Sequence, residues 1–136
     1  MEVFKMILKW KDEYSIGIKE IDEQHKQIFA IGNSAYELLK NDLGSDKYSK
    51  IVQVVEDLRQ YTKYHFKWEE NYMLQIKYKD YDNQKIEHDK FIKKINSYDL
   101  NKIHQNQDKY IENLLFFILD WTLDHILQKD RLIKEK

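Results

Sequence analysis

The sequence predicts an all-α fold, an up-down-up-down antiparallel four-helix bundle with an N-terminal arm, and three observations support it. The 136 residues include no proline and only three glycines, so few positions force a helix to end. Apolar residues recur at spacings of three and four in four separate stretches. The links between these stretches are short, and short links favour antiparallel packing of successive helices.

The N-terminal part of the chain divides into an arm and a first helix. Residues 1–18 mix apolar and charged side chains without a sustained period, so we interpret them as an arm that lies over the bundle. The first helix is predicted over residues 22–40, with Asp22 as its N-cap. Residues 41–46 carry turn-forming side chains, including Gly44, and end that helix.

Three further helices are predicted from the same periodicity. The second covers residues 47–75 and the third residues 83–97. Residues 98–107 are polar and predict a longer connection, after which the fourth helix covers residues 108–129. We expect the whole chain, residues 1–136, to form a single domain.

A histidine and a carboxylate lie in the middle of the second apolar stripe. His65 and Glu69 are four residues apart, so their side chains share the inward face of the helix. Burying an unpaired carboxylate costs roughly several kcal/mol unless a charge compensates it. A bound metal cation is one candidate for that compensation.

The bundle topology brings further polar residues to the same end. The starts of the first and third helices lie beside the ends of the second and fourth. Asp130 fits least well, because five residues after His125 correspond to about 140° around a regular helix, so the last turn must loosen or end there. The residues that this topology places in one polar layer are His25, His65, Glu69, Gln84, His88, His125 and Asp130.

The donor atoms in this layer restrict the metal. The chain has no cysteine, so zinc fingers, iron–sulfur clusters and thiol catalysis are excluded. Imidazole and carboxylate ligands suit Fe, Mn or Zn, and two carboxylates able to bridge suggest two ions. The residues alone do not distinguish between these metals.

Composition excludes several other classes of function. The net charge is -1 although 35% of the residues are charged, which predicts neither a nucleic-acid partner nor an anionic membrane partner. The longest apolar run, residues 114–119, is far shorter than the ~20 residues that cross a bilayer. With no secretory-type segment near its start and no cysteine, the chain is expected to be cytoplasmic.

Motifs along nearly the whole chain carry a family resemblance. They are Trp10, Ile16-Gly17, IDEQH at residues 21–25, HFKWEE at 65–70, EHDKF at 87–91, WTLDHI at 121–126, and Asp130. In this order and spacing they resemble the bacterial hemerythrins of the HHE cation-binding family, which are non-haem di-iron proteins that bind O2 reversibly. The resemblance implies a four-helix bundle and an O2-binding role in delivery, storage or sensing.

The resemblance also implies a set of ligands for two Fe ions, cycling between Fe2+ and Fe3+. His25 and His65 would hold one iron and His88 and His125 the other. Glu69 and Asp130 would bridge the pair, together with an oxo or hydroxo group. In the family O2 binds at the iron with fewer histidines, and the resemblance implies that the corresponding iron here is the one held by His25 and His65.

The sequence departs from the family at Gln84, where the family has another histidine ligand four residues before His88. An amide oxygen is a weaker, neutral ligand. Three outcomes follow: two irons with Gln84 or water as a weak seventh ligand, reduced affinity for the second iron, or two open positions. The third outcome would favour reduction of peroxide or NO over reversible O2 binding.

Alternative functions therefore remain open at this point. One is a di-iron enzyme that reduces peroxide or NO, and another is an iron store or a metal-stabilised interaction bundle. Trp121 and Thr122 lie four and three residues before His125, so both are candidates to line the O2 pocket. His104 lies in the polar connection outside any stripe and is not predicted to bind metal. The oligomeric state is not predicted.

Overall fold

Helices form wherever the apolar stripes predict them. The computed structural model describes residues 9–40, 47–121, 124, 125, 128, 130, 132 and 133. Within them the α-helices are α1 (Lys19–Lys40), α2 (Tyr48–Gln75), α3 (Tyr81–Asn96) and α4 (Gln107–Trp121). Two short 3₁₀ helices, Asp12–Tyr14 and Leu100–Gln105, complete the secondary structure, and these ranges contain no strand. The all-α prediction is confirmed.

Contacts between helix ends establish the antiparallel arrangement. Lys47, next to the start of α2, places its Nζ 3.1 Å from Asp108 at the start of α4. At the opposite end Lys85, near the start of α3, places its Nζ 3.7 Å from Glu70 near the end of α2. Gln24, near the start of α1, lies 2.7 Å from His65 of α2. Successive helices therefore run in opposite directions, as predicted.

α1 begins at Lys19, three residues before the predicted start, and Asp22 is not its N-cap. Gly17 has a φ of 84°, which lets the chain turn early, and the carbonyl of Ile18 accepts the first helical hydrogen bond from the Asp22 N–H at 2.9 Å. The Asp22 carboxylate instead accepts hydrogen bonds from Ser15 Oγ and the Ile16 N–H. Asp22 thus fastens the arm to the helix.

The described part of the arm packs on α1. Trp10 and Tyr14 each place their ring centroids 5.6 Å from that of Phe29, and the Lys26 ammonium lies 5.4 Å from the centre of the Trp10 ring. Edge-on aromatic contacts of this kind add to the burial of apolar area. Residues 1–8 of the predicted arm lie outside the described residues.

α2 ends in a Schellman turn. Lys77 adopts a positive φ of 56°, its N–H donates to the Leu74 carbonyl, and the Tyr78 N–H donates to the Met73 carbonyl at 2.8 Å. Met73 and Tyr78 are both buried and pack together. The turn reverses the chain within a few residues and so sets α3 directly against the end of α2.

The connection predicted over residues 98–107 is more ordered than its polar composition suggests. It contains the 3₁₀ helix Leu100–Gln105, whose first turn is capped by the Asp99 carboxylate accepting from the Asn101 N–H at 2.9 Å. Ile103 is completely buried there against the main core. Together with the partly buried Leu100, it explains why the segment folds onto the bundle.

The apolar core fills the end of the bundle where α2 and α4 begin. Its buried members are Ile31, Ala35, Tyr36, Ile51, Val54, Val55, Leu58, Phe66, Phe91, Ile95, Ile103, Ile111, Leu114, Leu115 and Ile118. Among the helices described, none has both the length and the apolar composition that a membrane span requires.

Candidate metal centre

All of the predicted polar layer is buried. His25 lies on α1, His65 and Glu69 on α2, Gln84 and His88 on α3, and His125 and Asp130 after α4. Gln84 is 3% exposed and the other six side chains at most 1%. These six form two groups, and within each group the candidate ligand atoms all lie within 4.8 Å of one another. The groups are His25, His65, Glu69 and Asp130, and Glu69, His88, His125 and Asp130.

In the first group, two imidazoles face the two shared carboxylates. His25 Nε2 lies 3.0 Å from Asp130 Oδ2, and His65 Nε2 lies 3.5 Å from Glu69 Oε2 and 3.9 Å from Asp130 Oδ2. The two rings are 5.0 Å apart at their centroids. Two nitrogens and two carboxylates thus converge on one small volume.

The second group repeats this pattern with the other oxygens of the same carboxylates. His88 Nε2 lies 2.9 Å from Glu69 Oε1, and His125 Nε2 lies 3.0 Å from Asp130 Oδ1. The two Nε2 atoms are 3.1 Å apart. Glu69 and Asp130 therefore each present one oxygen to each group.

Asp130 reaches the cluster through a widened helical turn. Its N–H donates to the His125 carbonyl five residues earlier, at 2.9 Å, and Asp124, His125 and Gln128 have π-helical conformation. A π turn brings residues five apart onto a similar face and is frequent at functional sites. This is the loosening of the last turn that an inward Asp130 requires. The predicted continuation of this helix to residue 129 lies partly outside the described residues.

The buried nitrogen and oxygen atoms of the cluster suit a bound cation better than hydrogen bonds among themselves. Both oxygens of Glu69, Oδ1 of Asp130 and Nε2 of His65 are buried without a hydrogen bond of acceptable geometry, although they lie close to one another. Across the described residues, the ion pairs of Glu69 and Asp130 are with histidines alone. Such atoms cost free energy when buried unless a cation lies between them.

Electrostatics within the cluster also favour positive charge. Burial by itself disfavours a charged His125, but the carboxylates of Asp130 and Glu69 outweigh it and raise the pKa of His125 to about 10. Burial would raise the pKa of Asp130, yet the neighbouring His125, His25 and His65 hold it well below its usual value. Burial dominates at His65 and lowers its pKa. Metal ions and protons would therefore compete for the same atoms.

Two residues that orient the imidazoles were not predicted. His65 Nδ1 lies 2.7 Å from the Gln24 amide oxygen, and His88 Nδ1 lies 2.8 Å from Glu70 Oε2. Each partner fixes the ring so that Nε2 points into the cluster. Glu70 is in turn 3.7 Å from the Lys85 ammonium. The signal available in the sequence was a polar residue directly beside a predicted ligand, at positions 24 and 70.

The remaining predicted site residues differ in their placement. Gln84 is buried one turn before His88 on α3, so it shares the inward face. Trp121 stacks on the His125 ring with a centroid distance of 4.7 Å and an interplanar angle of 15°. Thr122 lies outside the described residues. His104 stacks on Tyr48 at the opposite end of the bundle, so it does not join the cluster.

The fold and the cluster together define a class: helical bundles that bind metal through histidines and carboxylates on facing helices. The family described as "Hemerythrin HHE cation binding domain" matches residues 16–136. The chain belongs to the hemerythrin family.

The regions of similarity to known relatives span most of this chain and most of each relative. A bacteriohemerythrin of Clostridium acetobutylicum is 47% identical over 122 residues, which are 90% of this chain and 95% of the relative. A bacteriohemerythrin of Pseudomonas paraeruginosa is 30% identical over 90% of this chain and 76% of the relative. A hemerythrin-like protein of Naegleria gruberi is 26% identical over 89% of this chain and 86% of the relative.

Proposed function

We propose that this chain binds two iron ions and, through them, reversibly binds O2 for delivery, storage or sensing. The observation that carries the proposal is the pair of four-residue groups sharing Glu69 and Asp130. One carboxylate with an oxygen directed at each of two groups is the arrangement that bridges two ions. The relatives named bacteriohemerythrin support the assignment of iron rather than manganese or zinc.

In this proposal the six side chains divide into terminal and bridging ligands. His25 and His65 hold one ion, His88 and His125 hold the other, and the two carboxylates bridge them. When iron is bound, an oxo or hydroxo group would complete the bridge. Bound iron would supply the electrons for O2 binding, and its chemistry needs a site closed to bulk water.

The protein contributes orientation and exclusion of water. The six side chains are at most 1% exposed, so no bulk water reaches them directly. Gln24 gives His65 a neutral partner, whereas Glu70 gives His88 an anionic one. Because a carboxylate partner makes an imidazole more basic, His88 becomes the stronger donor of the two. This partly offsets the weaker neutral ligand that Gln84 offers on the same side.

Metal content and the response to O2 test the proposal directly. We expect two irons per purified chain, and a visible absorption band that appears when the anaerobically reduced protein meets O2 and disappears when O2 is removed. Absence of iron, or iron without any spectral response to O2, would contradict the proposal. A metal-stabilised bundle or iron store gives the second of these results.

A second candidate function, reduction of peroxide or NO, is favoured by the position of Gln84. Gln84 lines a surface pocket of about 380 Å³ together with Asn83, Glu87 and Leu132. A small molecule entering there would meet Gln84, which offers a weaker ligand than the family histidine. Turnover of peroxide or NO by the iron-loaded protein would establish this function in place of O2 binding.

The variant Gln84→His separates the two candidates. If the weak position causes turnover, Gln84→His lowers the rate of peroxide or NO reduction. If the protein is an O2 carrier, the same variant tightens iron binding and prolongs the life of the O2 adduct. Asn83→His, one residue earlier on the exposed side of α3, is the matched control and leaves iron content unchanged. Equal iron content and adduct lifetime in Gln84→His and the parent would show that position 84 has no ligand role.

A further inference from the structure

A continuous series of aromatic rings leads away from the candidate metal centre. Trp121 stacks on His125 and lies 4.6 Å from Phe91, and Phe91 lies 4.8 Å from Phe117. Phe117 lies 5.9 Å from Tyr98. The last step, from Tyr98 to Tyr110, is 5.8 Å. All distances join ring centroids. We call this series, from Trp121 to Tyr110, the aromatic relay.

The relay ends at the surface. Tyr98, Tyr110 and Phe117 line a groove of about 750 Å³ beside the 3₁₀ segment that connects α3 with α4. The Tyr98 hydroxyl donates to the Asn113 carbonyl at 3.4 Å, and the Lys94 ammonium lies 5.7 Å from the centre of its ring. The rings thus connect a buried ligand with water at the other end of the bundle.

The order of side chains along the relay has chemical meaning. Tryptophan and tyrosine lose an electron far more readily than phenylalanine does, and here they occupy the two ends while Phe91 and Phe117 fill the interval. We propose that the aromatic relay carries electrons from Tyr98 to the metal centre when peroxide oxidises that centre. The proposal rests on the proposed iron site.

The electron balance requires an oxidant, and hydrogen peroxide is the one we name. Peroxide accepts two electrons and two protons and becomes two molecules of water. Tyr98 releases one electron along the relay and one phenolic proton to water in the groove, whereas the buried Tyr110 hydroxyl has no acceptor for its proton among the described residues. The Tyr98 phenol becomes a neutral phenoxyl radical, which a thiol restores with one electron and one proton. Two such turns supply the two electrons and two protons that one peroxide takes up, and the two thiols become one disulfide. Oxidation is thereby moved from the ligands to a surface tyrosine that is reduced again.

A second group of rings offers a different exit and must be distinguished. Phe29 contacts Trp10 and Tyr14, and this group also packs against Trp121. A diffusing oxidant offers a third possibility. It would mark Tyr64, which is 55% exposed and adjacent in sequence to His65 but is not part of the relay.

The experiment maps radicals on the full chain loaded with iron. Iron and O2 response are measured first, peroxide is then added with a nitroso spin trap, and adducts are located by peptide mass spectrometry. We expect adducts on Tyr98 and Trp121 in the parent. Phe117→Leu should lose the adduct on Tyr98 and retain that on Trp121, whereas the matched variant Phe29→Leu should keep the parent pattern. Iron-free chain should show no adducts.

Tyr98→Phe is a second test in case Phe117→Leu misfolds, because it preserves the ring and removes only the hydroxyl. Its adducts should be confined to Trp121, without a gain at Tyr64. Adducts mainly on Tyr64, or on Trp10 and Tyr14, or an unchanged pattern in Phe117→Leu, would overturn the relay while leaving two irons and the O2 response intact. A chain without iron would overturn both proposals.

Discussion

The end of the bundle where α2 finishes and the end where it begins are both completely buried, but by opposite chemistry. At the finish, His65 and Glu69 are 0% exposed and face carboxylates and imidazoles from other helices. At the beginning, Ile51, Val55 and Leu58 are equally buried among aliphatic side chains. One helix thus supports two environments along a single inward stripe.

The difference separates stability from binding. Aliphatic burial lowers the free energy of the folded chain whether or not a ligand is bound. Buried carboxylates and imidazoles contribute fully only when a cation lies between them. We therefore expect substitutions at the apolar end to change unfolding and leave iron binding intact, and substitutions at the polar end to do the reverse.

The largest effect is expected from Glu69→Gln. The substitution keeps the size of the side chain but removes a charge that both candidate groups share. Removing a partner of a ligand typically weakens metal binding by about 10–100-fold, so loss of a bridging ligand should cost at least that much. Iron per chain, measured by elemental analysis, should fall from two towards zero while the helical circular dichroism persists. Retention of two irons would remove Glu69 from the ligand set.

Leu58→Ala should produce the converse result. Leu58 is 0% exposed in the apolar core, and truncating a buried leucine typically costs about 2–5 kcal/mol. The free energy of unfolding of iron-free protein, from denaturant titration, should fall by that amount. Iron per folded chain should stay at two. Leu74→Ala, at a position 56% exposed on the same helix, should change stability by no more than about 0.5 kcal/mol. A loss of iron in Leu58→Ala would show that the two ends are coupled.

A smaller effect on binding is expected from Glu70→Gln, which keeps a hydrogen-bond acceptor near His88 Nδ1 but removes its charge. Iron affinity, measured by competition with a chelator, should fall by about 10–100-fold. Asp89→Asn is the matched control, because Asp89 also pairs with Lys85, at 2.8 Å, but is 58% exposed and does not touch His88. Equal iron affinities in Glu70→Gln and Asp89→Asn would show that the charge of Glu70 does not act through His88.

Much of the arrangement of the candidate metal centre could be predicted from sequence periodicity. An inward stripe gives the face of each side chain, and an antiparallel topology gives its height along the bundle. Together they bring His25, His65 and His88 to one level, and the structure places all three there. Asp130 needed a further condition, because regular helical spacing from His125 directs it elsewhere. The i to i+5 hydrogen bond that satisfies this condition has no counterpart in residue periodicity.

Contacts between side chains of different helices could not be predicted from periodicity. Gln24 precedes His25 in the sequence but binds His65, across the interface between α1 and α2. A neighbour in sequence lies about 100° around the helix, so its partner depends on which helix packs on that side. The start of α1 was misplaced for a related reason. Asp22 has the chemistry of an N-cap, but it binds Ser15 and Ile16 of the arm instead.

The smallest expected effect lies at the apolar end and is a dependence on alkaline pH. Burial, with a contribution from Tyr110, raises the pKa of Tyr98 to about 12. In the unfolded chain a tyrosine ionises near its ordinary value of about 10, so between pH 10 and 12 only the unfolded state loses this proton. Stability due to Tyr98 is therefore fully present below pH 10 and declines as the pH rises towards 12.

Tyr98→Phe isolates this contribution, because it removes the ionising group and keeps the ring. The free energy of unfolding of iron-free protein, followed by denaturant titration from pH 9 upwards, should fall less steeply in Tyr98→Phe than in the parent. Leu74→Ala, at an exposed position without an ionising group, should retain the parent slope. Parallel slopes in all three proteins would show that the Tyr98 phenol ionises equally in both states. Because Tyr98 is partly exposed, we expect its effect on the free energy of unfolding to be smaller than that of Leu58→Ala.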